Sequence, residues 1–155
     1  MADDADFMRM ALTLAREAFA AGEIPVGAVV VKDGAVLAAA RNDNRERNDP
    51  VRHAEINAIE RAAAALGNER LTGCDLYVTK EPCAMCAGAI VHARIRRLVI
   101  GARDARYGAC GTVLDVCGNR VLNHAPEIEF GLMEEEGAAL LKEFFQKKRD
   151  ERRVE

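Results

Sequence analysis

Apolar residues recur along the chain first at helical spacing and then in short runs, an order that predicts an α/β fold. From about residue 4 to residue 21 they return every three or four positions, as in an amphipathic helix, which ends near Gly22. Two apolar runs follow, Val26 to Lys32 and Ala35 to Ala40. Asp33-Gly34 between them suits the type I′ turn of a β-hairpin.

A second helix is predicted over about residues 53–66, after a polar loop over residues 42–52. Four of its apolar residues are predicted to form the buried stripe, and three of its polar residues to face solvent. The stripe comprises Ile56, Ile59, Ala63 and Leu66, and the outward set comprises Asn57, Glu60 and Arg61.

The second half of the chain predicts a right-handed βαβ unit with parallel strands, made of strand 76–79, helix 84–93 and strand 98–100. After the glycine-containing loop 101–111, a strand over 127–130 and a helix over about 132–149 are predicted. The order implies a mixed sheet of about five strands between helical layers. We interpret residues 1–155 as a single α/β domain.

Composition is that of a globular protein, with 50% hydrophobic and 30% charged residues. The acidic start of the chain does not resemble a secretory signal, and no apolar run reaches the ~20 residues of a membrane span. We therefore expect no membrane role and a cytoplasmic location. A net charge of −3 argues against coating nucleic acid through the overall field. Two local stretches, 94–106 and 142–155, are nevertheless basic, which on charge alone is typical of a solvated face.

Five cysteines, an odd number, do not predict a disulfide framework. Cys83 and Cys86 form a Cys-x-x-Cys, whose two sulfurs lie on one face of a helical turn and can reach one ion. Pro82 suits a helix start, where free N–H groups and the helix dipole favour the thiolates that zinc binds. His53, at the start of another helix, is the natural third ligand, and a catalytic zinc would leave the fourth position to water.

Glu55 follows His53 by two residues, so both side chains can reach the same ion only if it lies beyond the N-terminal end of their helix. A zinc ion there would lower the pKa of its bound water to near neutrality. Glu55 then serves as general base and general acid in turn. The combination of these four residues predicts a catalytic zinc site more strongly than any one of them.

These residues form the pattern H-x-E followed by P-C-x-x-C, which is the signature of the zinc nucleobase deaminases. Nearly the whole chain resembles the bacterial tRNA-specific adenosine deaminases. The matching segments are Ile24 to Val29, Asn48 to Pro50 running into His53 to Glu55, Leu76 to Thr79, Glu81 to Ile90, Gly101 to Asp104, and Phe144-Phe145.

The resemblance implies a three-layer α/β/α cytidine-deaminase-like fold and a homodimer with one zinc per subunit. It also implies conversion of adenosine to inosine at the wobble position of a tRNA anticodon stem-loop, whose target base must be splayed out. By residue, it implies that His53, Cys83 and Cys86 hold zinc and that Glu55 moves protons. Asn42 would contact the adenosine, and Gly27 and Ala54 would line the base pocket.

RNA contacts are expected from two segments. Asp104 matches a family loop near the RNA backbone, and its neighbours Arg106 and Tyr107 are predicted to contact substrate. Tyr107 could stack on a flanking base or anchor its loop. The last helix is predicted to contact phosphates, while at least one of Phe144 and Phe145 docks it on the core. The predicted phosphate contacts are Lys147, Lys148, Arg149 and Arg152.

Two features depart from the family pattern. Lys80 stands where the family commonly has an apolar residue, and Cys110 and Cys117 are extra thiols that we do not assign as ligands. Three alternatives stay open from the sequence: a deaminase of a free base or nucleoside, of the guanine or cytosine type, on the same fold; a non-catalytic zinc-stabilised binding module; and a redox Cys-x-x-Cys protein.

Overall fold

A five-stranded mixed sheet organises the computed structural model, which describes residues 2–154. The elements in chain order are α1 (Asp4–Ala20), β1 (Gly27–Lys32), β2 (Ala35–Arg41), α2 (Ala54–Leu66), β3 (Cys74–Lys80), α3 (Ala84–His92), β4 (Arg97–Ala102), β5 (Glu127–Phe130) and α4 (Glu134–Val154). The strand order is β2-β1-β3-β4-β5. β1 pairs antiparallel with β2 and β3, whereas β3, β4 and β5 are parallel.

The alternation of side chains along the strands sorts the core into two layers. Val29, Tyr77 and Val99 face the side covered by α1 and α4, where they pack against Met8 and Leu140. The intervening strand residues face α2 and α3; they include Ala28, Val30, Leu76, Val78, Leu98 and Ile100. The predicted three-layer α/β fold is confirmed.

The β1–β2 hairpin has the predicted turn. Asp33 has a φ of 50° and Gly34 a φ of 77°, and a type I′ turn requires positive φ at both central residues. The parallel pairing of β3 and β4 around α3 is also confirmed. The last helix begins later than predicted, because Gly131 and Met133, both at positive φ, form a turn before it. It also runs further than predicted, to Val154.

The predicted buried stripe of α2 is wrong in detail. Ala54, Ala58 and Ala62 are fully buried, whereas Ile56, Ile59, Ala63 and Leu66 are only half-buried. Small alanines let the helix approach the sheet closely. Asn57, predicted to face solvent, is buried because its Nδ2 donates to Arg41 O at 3.0 Å and to Asp43 Oδ1 at 2.8 Å. Glu60 and Arg61 are exposed, as predicted.

Among residues 2–154, no helix has both the length and the apolar composition that a membrane span requires.

Candidate active site

A cleft of about 770 Å³ lies where β3 ends and where α2 and α3 begin. That volume is in the range of pockets that enclose small organic ligands. Most of the predicted site residues line the cleft: Asn42, His53, Glu55, Cys83, Asp104, Arg106, Tyr107, Lys148, Arg149 and Arg152. Residues far apart in the sequence are therefore brought to one place.

Two helix N-termini position the three predicted metal ligands. His53 and Cys83 are the N-cap residues of α2 and α3, and Cys86 lies in the first turn of α3. His53 Nδ1 is 3.7 Å from Cys83 Sγ and 3.5 Å from Cys86 Sγ. Zn–N and Zn–S bonds in tetrahedral geometry place N and S about 3.6 Å apart. The spacing and the donor set therefore fit zinc.

In the part of the chain that the structure describes, this trio is the group of His, Cys, Asp and Glu side chains that could hold a metal ion. Cys110 and Cys117 do not belong to it. Both are buried, with their sulfur atoms 3.2 Å apart, and Cys74 is a buried core residue.

Neighbouring groups shift the pKa values of the two thiols of the trio in opposite directions. The hydrogen bond from Cys86 is the largest of several effects that lower the pKa of Cys83, to about 3. The bond to Cys83 and then burial raise the pKa of Cys86. The hydrogen bond with Cys83 likewise raises the pKa of His53. Cys83 is thus the more acidic thiol, and its thiolate is a good metal ligand.

Glu55 lines the same cleft as His53, although the residue is only 4% exposed. Burial raises the pKa of this carboxyl above its ordinary value. A carboxyl group with a raised pKa, beside a group that can hold a metal, is suited to accept and return a proton.

Asn42 uses its side chain to fix the start of α2. Its Oδ1 accepts the Ala54 N–H at 2.6 Å, and its Nδ2 donates to Ile24 O at 3.1 Å. Asn42 lines the cleft, but Ala54 is fully buried. Gly27 faces α1, since a Cβ there would lie 1.9 Å from Ala11 O. The structure therefore does not place Gly27 and Ala54 on the cleft surface.

Two buried glutamates hold the loops on either side of the cleft, and sequence reasoning missed both. Glu23 accepts the N–H groups of Arg45 and Glu46 at 3.1 and 2.8 Å. Glu81 accepts those of Asp104, Cys110 and Thr112 at 3.0–3.2 Å, and also the Thr112 hydroxyl. A signal was present for Glu81 alone, since it lies within the Glu-Pro-Cys segment.

Of the basic stretch 94–106, Arg106 lines the cleft. The other arginines contact protein groups: Arg96 binds Asp75, Arg97 binds Asp4 and Glu129, Arg94 donates to Val91 O, and Arg103 lies over the Phe130 ring. Most of that stretch therefore stabilises the fold.

In α4, Lys148, Arg149 and Arg152 reach the cleft, whereas Lys147 lies over the Phe19 ring beside a separate groove. Phe144 is buried, as expected for a docking residue, and Phe145 is 41% exposed and lines the cleft. Tyr107 is 64% exposed, so it does not anchor its loop. The mouth of the cleft thus combines cations with exposed aromatic rings.

Comparison with known proteins identifies the class. Residues 2–149 match the family model of the MafB19-like deaminases. With the sheet topology and the His-Cys-Cys-Glu site, this makes the chain a member of the α/β deaminases of the cytidine-deaminase type.

Two similar proteins identify the family within this class. The chain is 50% identical over 149 residues to the tRNA-specific adenosine deaminase of Agrobacterium fabrum, covering 96% of this chain and 98% of the relative. It is 46% identical over 153 residues to that of Haemophilus influenzae, covering 98% and 88%. The chain belongs to the family of tRNA-specific adenosine deaminases.

Solved structures agree. One from a study of A-to-I editing by tRNA:A34 deaminases at the wobble position of transfer RNA superposes with a TM-score of 0.85 at 50% identity, covering 87% of this chain and 98% of that one. A guanine deaminase from Nitrosomonas europaea superposes with a TM-score of 0.81 at 28% identity, covering 93% and 85%.

Proposed function

We propose that this enzyme deaminates adenosine to inosine at the wobble position of a tRNA anticodon stem-loop. The observation that carries the proposal is a buried carboxyl, Glu55, in the same cleft as His53 and Cys83, which together with the buried Cys86 form a trio whose spacing fits zinc. The identity to tRNA-specific adenosine deaminases supports the choice of substrate. Because bacteria process tRNA in the cytoplasm, the proposal includes a cytoplasmic location.

His53, Cys83 and Cys86 would hold one zinc ion per subunit. When bound, zinc supplies Lewis acidity that lowers the pKa of water to near neutrality. Glu55 takes a proton from the attacking water and delivers one to N1 of adenine, which makes C6 electrophilic. Glu55 then takes the proton of the hydroxyl that is now bonded to C6 and delivers it to the amine, which leaves as ammonia. Asn42 keeps His53 and Glu55 in place through the Ala54 N–H, and contacts the base from the cleft wall.

The RNA would reach the cleft along its cationic side. Lys148, Arg149 and Arg152 on one helix face and Arg106 on the opposite loop offer phosphate contacts. The rings of Tyr107 and Phe145 are exposed beside them and can stack on splayed bases. Lys147 points to another groove and has less support as a phosphate contact.

The first test measures inosine formation in an anticodon stem-loop RNA with adenosine at the wobble position. The wild-type protein is compared with Glu55→Gln, which keeps the size of the buried side chain but cannot move protons, and zinc content is assayed in both. Glu69→Ala, an exposed glutamate after α2, is the matched control. We expect activity in the wild type and the control and none in zinc-loaded Glu55→Gln.

Guanine deaminases on the same fold make deamination of a free base the second candidate. Guanine, cytosine and free nucleosides are therefore assayed in parallel. A zinc-loaded wild type that deaminates a free base but leaves the RNA unchanged would replace the RNA assignment. Activity in Glu55→Gln equal to wild type would remove Glu55 from the chemistry.

A homodimer is also proposed, following the family resemblance. Its structural support is a run of exposed apolar side chains in the segment before β5, where Val113, Leu114 and Val121 are 51%, 53% and 91% exposed. Exposed apolar groups in one segment are typical of a contact surface. Light scattering coupled to size-exclusion chromatography tests it, and a monomer mass at micromolar concentration would contradict it.

A further inference from the structure

Arg52, the residue before His53, is charged but largely removed from solvent, with a side chain that is 11% exposed. Its Nη1 and Nη2 donate to the two carboxylate oxygens of Glu60 at 2.5 and 2.8 Å. Its Nε lies 3.1 Å from Asp49 Oδ2. Such a two-bond pair between a guanidinium and a carboxylate fixes geometry as well as adding energy. Arg52 therefore ties the end of the polar loop 42–52 to α2.

Asn57, one turn into α2, joins the same arginine to the start of that loop. Its Oδ1 accepts a hydrogen bond from Arg52 Nη1 at 3.2 Å. Its Nδ2 donates to Arg41 O and Asp43 Oδ1, the contacts that bury it. Both ends of the loop are thus held against one helix.

These contacts bear on His53 because its backbone links the loop to the helix. On the helix side, His53 O accepts the Asn57 N–H at 3.0 Å. On the loop side, the His53 N–H donates to Val51 O at 2.8 Å, and Arg52 precedes it. A ligand whose backbone is fixed on both sides loses little freedom when an ion binds, and this favours binding.

We propose that Arg52 is a positioning residue of the metal site: by tying the loop 42–52 to α2 it holds His53 in place before an ion arrives, and so strengthens zinc binding. The inference rests on the zinc ion of the proposed function and deepens it. Arg52 acts through the backbone of His53 and lies outside the residues that line the cleft. It therefore has no part in proton transfer.

The test measures the Kd for zinc of the folded, metal-free protein, by competition with a chromophoric chelator. For Arg52→Met we expect the Kd to rise about tenfold, since the loss of a residue that supports a metal ligand typically weakens metal binding by about 10- to 100-fold. Arg52→Lys should lie between Arg52→Met and wild type, because an ammonium cannot form two parallel bonds to Glu60. Arg61→Met is the matched control. Arg61 is exposed on the same helix, donates to Ala39 O, and its loss should leave the Kd unchanged.

A double-mutant cycle tests whether Arg52 acts through Glu60. Glu60→Gln should raise the Kd less than Arg52→Met does, because the amide keeps one acceptor oxygen. In the Arg52→Met background, Glu60→Gln should change nothing further, since its partner is gone.

Two further measurements separate positioning from folding and from RNA binding. Urea unfolding of the metal-free proteins reports stability; a purely structural role would lower the free energy of unfolding and leave the Kd of the folded protein unchanged. At saturating zinc, kcat and KM of Arg52→Met on the anticodon stem-loop RNA should equal those of wild type, because the bound ion then holds His53.

An unchanged zinc Kd in Arg52→Met would overturn the inference, whatever the stability of that variant. A KM that stays raised at saturating zinc would show that Arg52 contacts the RNA, and would overturn it as well. A wild type that binds zinc but leaves the RNA unchanged would refute the proposed substrate and leave the inference standing. A wild type that binds no zinc would refute both.

Discussion

At the scale of single residues, Glu81 holds the loop that forms one wall of the cleft. The residue is 2% exposed, and its carboxylate accepts hydrogen bonds from three backbone N–H groups and one hydroxyl between residues 104 and 112. A buried donor without an acceptor costs about 1–3 kcal/mol. The Glu81 carboxylate therefore stabilises the fold by accepting hydrogen bonds from donors that would otherwise lack an acceptor.

Glu81→Ala should lower the free energy of unfolding by about 2–4 kcal/mol, because several buried donors lose their acceptor together. Glu81→Gln should lower it less, by about 1–2 kcal/mol, since the amide retains one acceptor oxygen. Urea unfolding measures both, with exposed Glu69→Ala as the control. Equal stability of Glu81→Ala and wild type would show that water replaces the carboxylate.

At this scale the sequence predicted the residues of the candidate metal site better than the residues that hold the loops around it. The grouping of His53, Cys83 and Cys86 was predictable because zinc chemistry restricts residue type and spacing. Glu23 was not predictable, and neither was the role of Glu81, although Glu81 lies in the family-matching Glu-Pro-Cys segment, because the N–H groups that they bind belong to loops distant in the sequence. Nothing in the local pattern distinguishes a buried glutamate that accepts such bonds from an exposed one.

At the scale of elements, the contact between α1 and β1 depends on the absence of a side chain at Gly27. A Cβ at this position would lie 1.9 Å from Ala11 O and 2.8 Å from Ala11 C. These are backbone atoms of a helix and cannot move out of the way alone. The helix and the strand would have to separate.

Gly27→Ala should therefore destabilise the protein by about 3 kcal/mol or more, beyond the usual cost of overpacking. Gly88→Ala is the matched control, because a Cβ within α3 meets no atom within 4 Å. Alanine is favoured over glycine inside a helix by about 0.5–1 kcal/mol, so this variant should be unchanged or more stable. Thermal unfolding compares the two, and equal melting temperatures would contradict the close approach.

Periodicity predicted most elements, and it failed where residue size mattered more than hydrophobicity. The hairpin, the βαβ unit and the number of strands follow from apolar runs and turn residues. In α2, the helix buries its alanines against the sheet, so Ile56 and Leu66 remain half-buried at the sides. Hydrophobic spacing alone does not report how closely two elements approach.

At the scale of the whole molecule, the proposed metal site joins parts of the chain that fold into separate elements. His53 comes from the start of α2, and Cys83 and Cys86 from the start of α3. An ion held by all three binds the folded chain better than the unfolded one. Binding is thereby linked to stability.

Zinc at about 1,000 times its Kd should add about 4 kcal/mol to the free energy of unfolding of the metal-free protein. Cys86→Ser should lose most of this gain because it removes a ligand. Cys74→Ser, which changes a buried thiol outside the trio, should keep it. Urea titrations with and without zinc measure the difference, and an equal gain in all three proteins would place the ion elsewhere.

A second link across the molecule is the ion-pair network of Asp4, Arg97 and Glu129, with the Tyr77 hydroxyl, which joins α1 to three strands. The hydrogen bond from Arg97, followed by that from Tyr77, lowers the pKa of Asp4 from 3.8 to about 2. Because the folded-state pKa is the lower one, the stabilisation is fully present above about pH 5 and is lost as the pH falls through the interval between 3.8 and about 2.

The side chain of Asp4 is 43% exposed, so solvent screening reduces the stabilisation to about 1 kcal/mol. Asp4→Asn should therefore be less stable than wild type by about this amount at pH 7, and the difference should shrink below pH 4. In an Arg97→Met background the pH-dependent effect of the same substitution should be smaller, since the largest cause of the lowered pKa is gone and the hydrogen bond from Tyr77 remains. Urea unfolding of the four proteins at pH 7, 5, 4 and 3 measures this. A difference that stayed constant down to pH 3 would mean that the charge on Asp4 does not contribute to it.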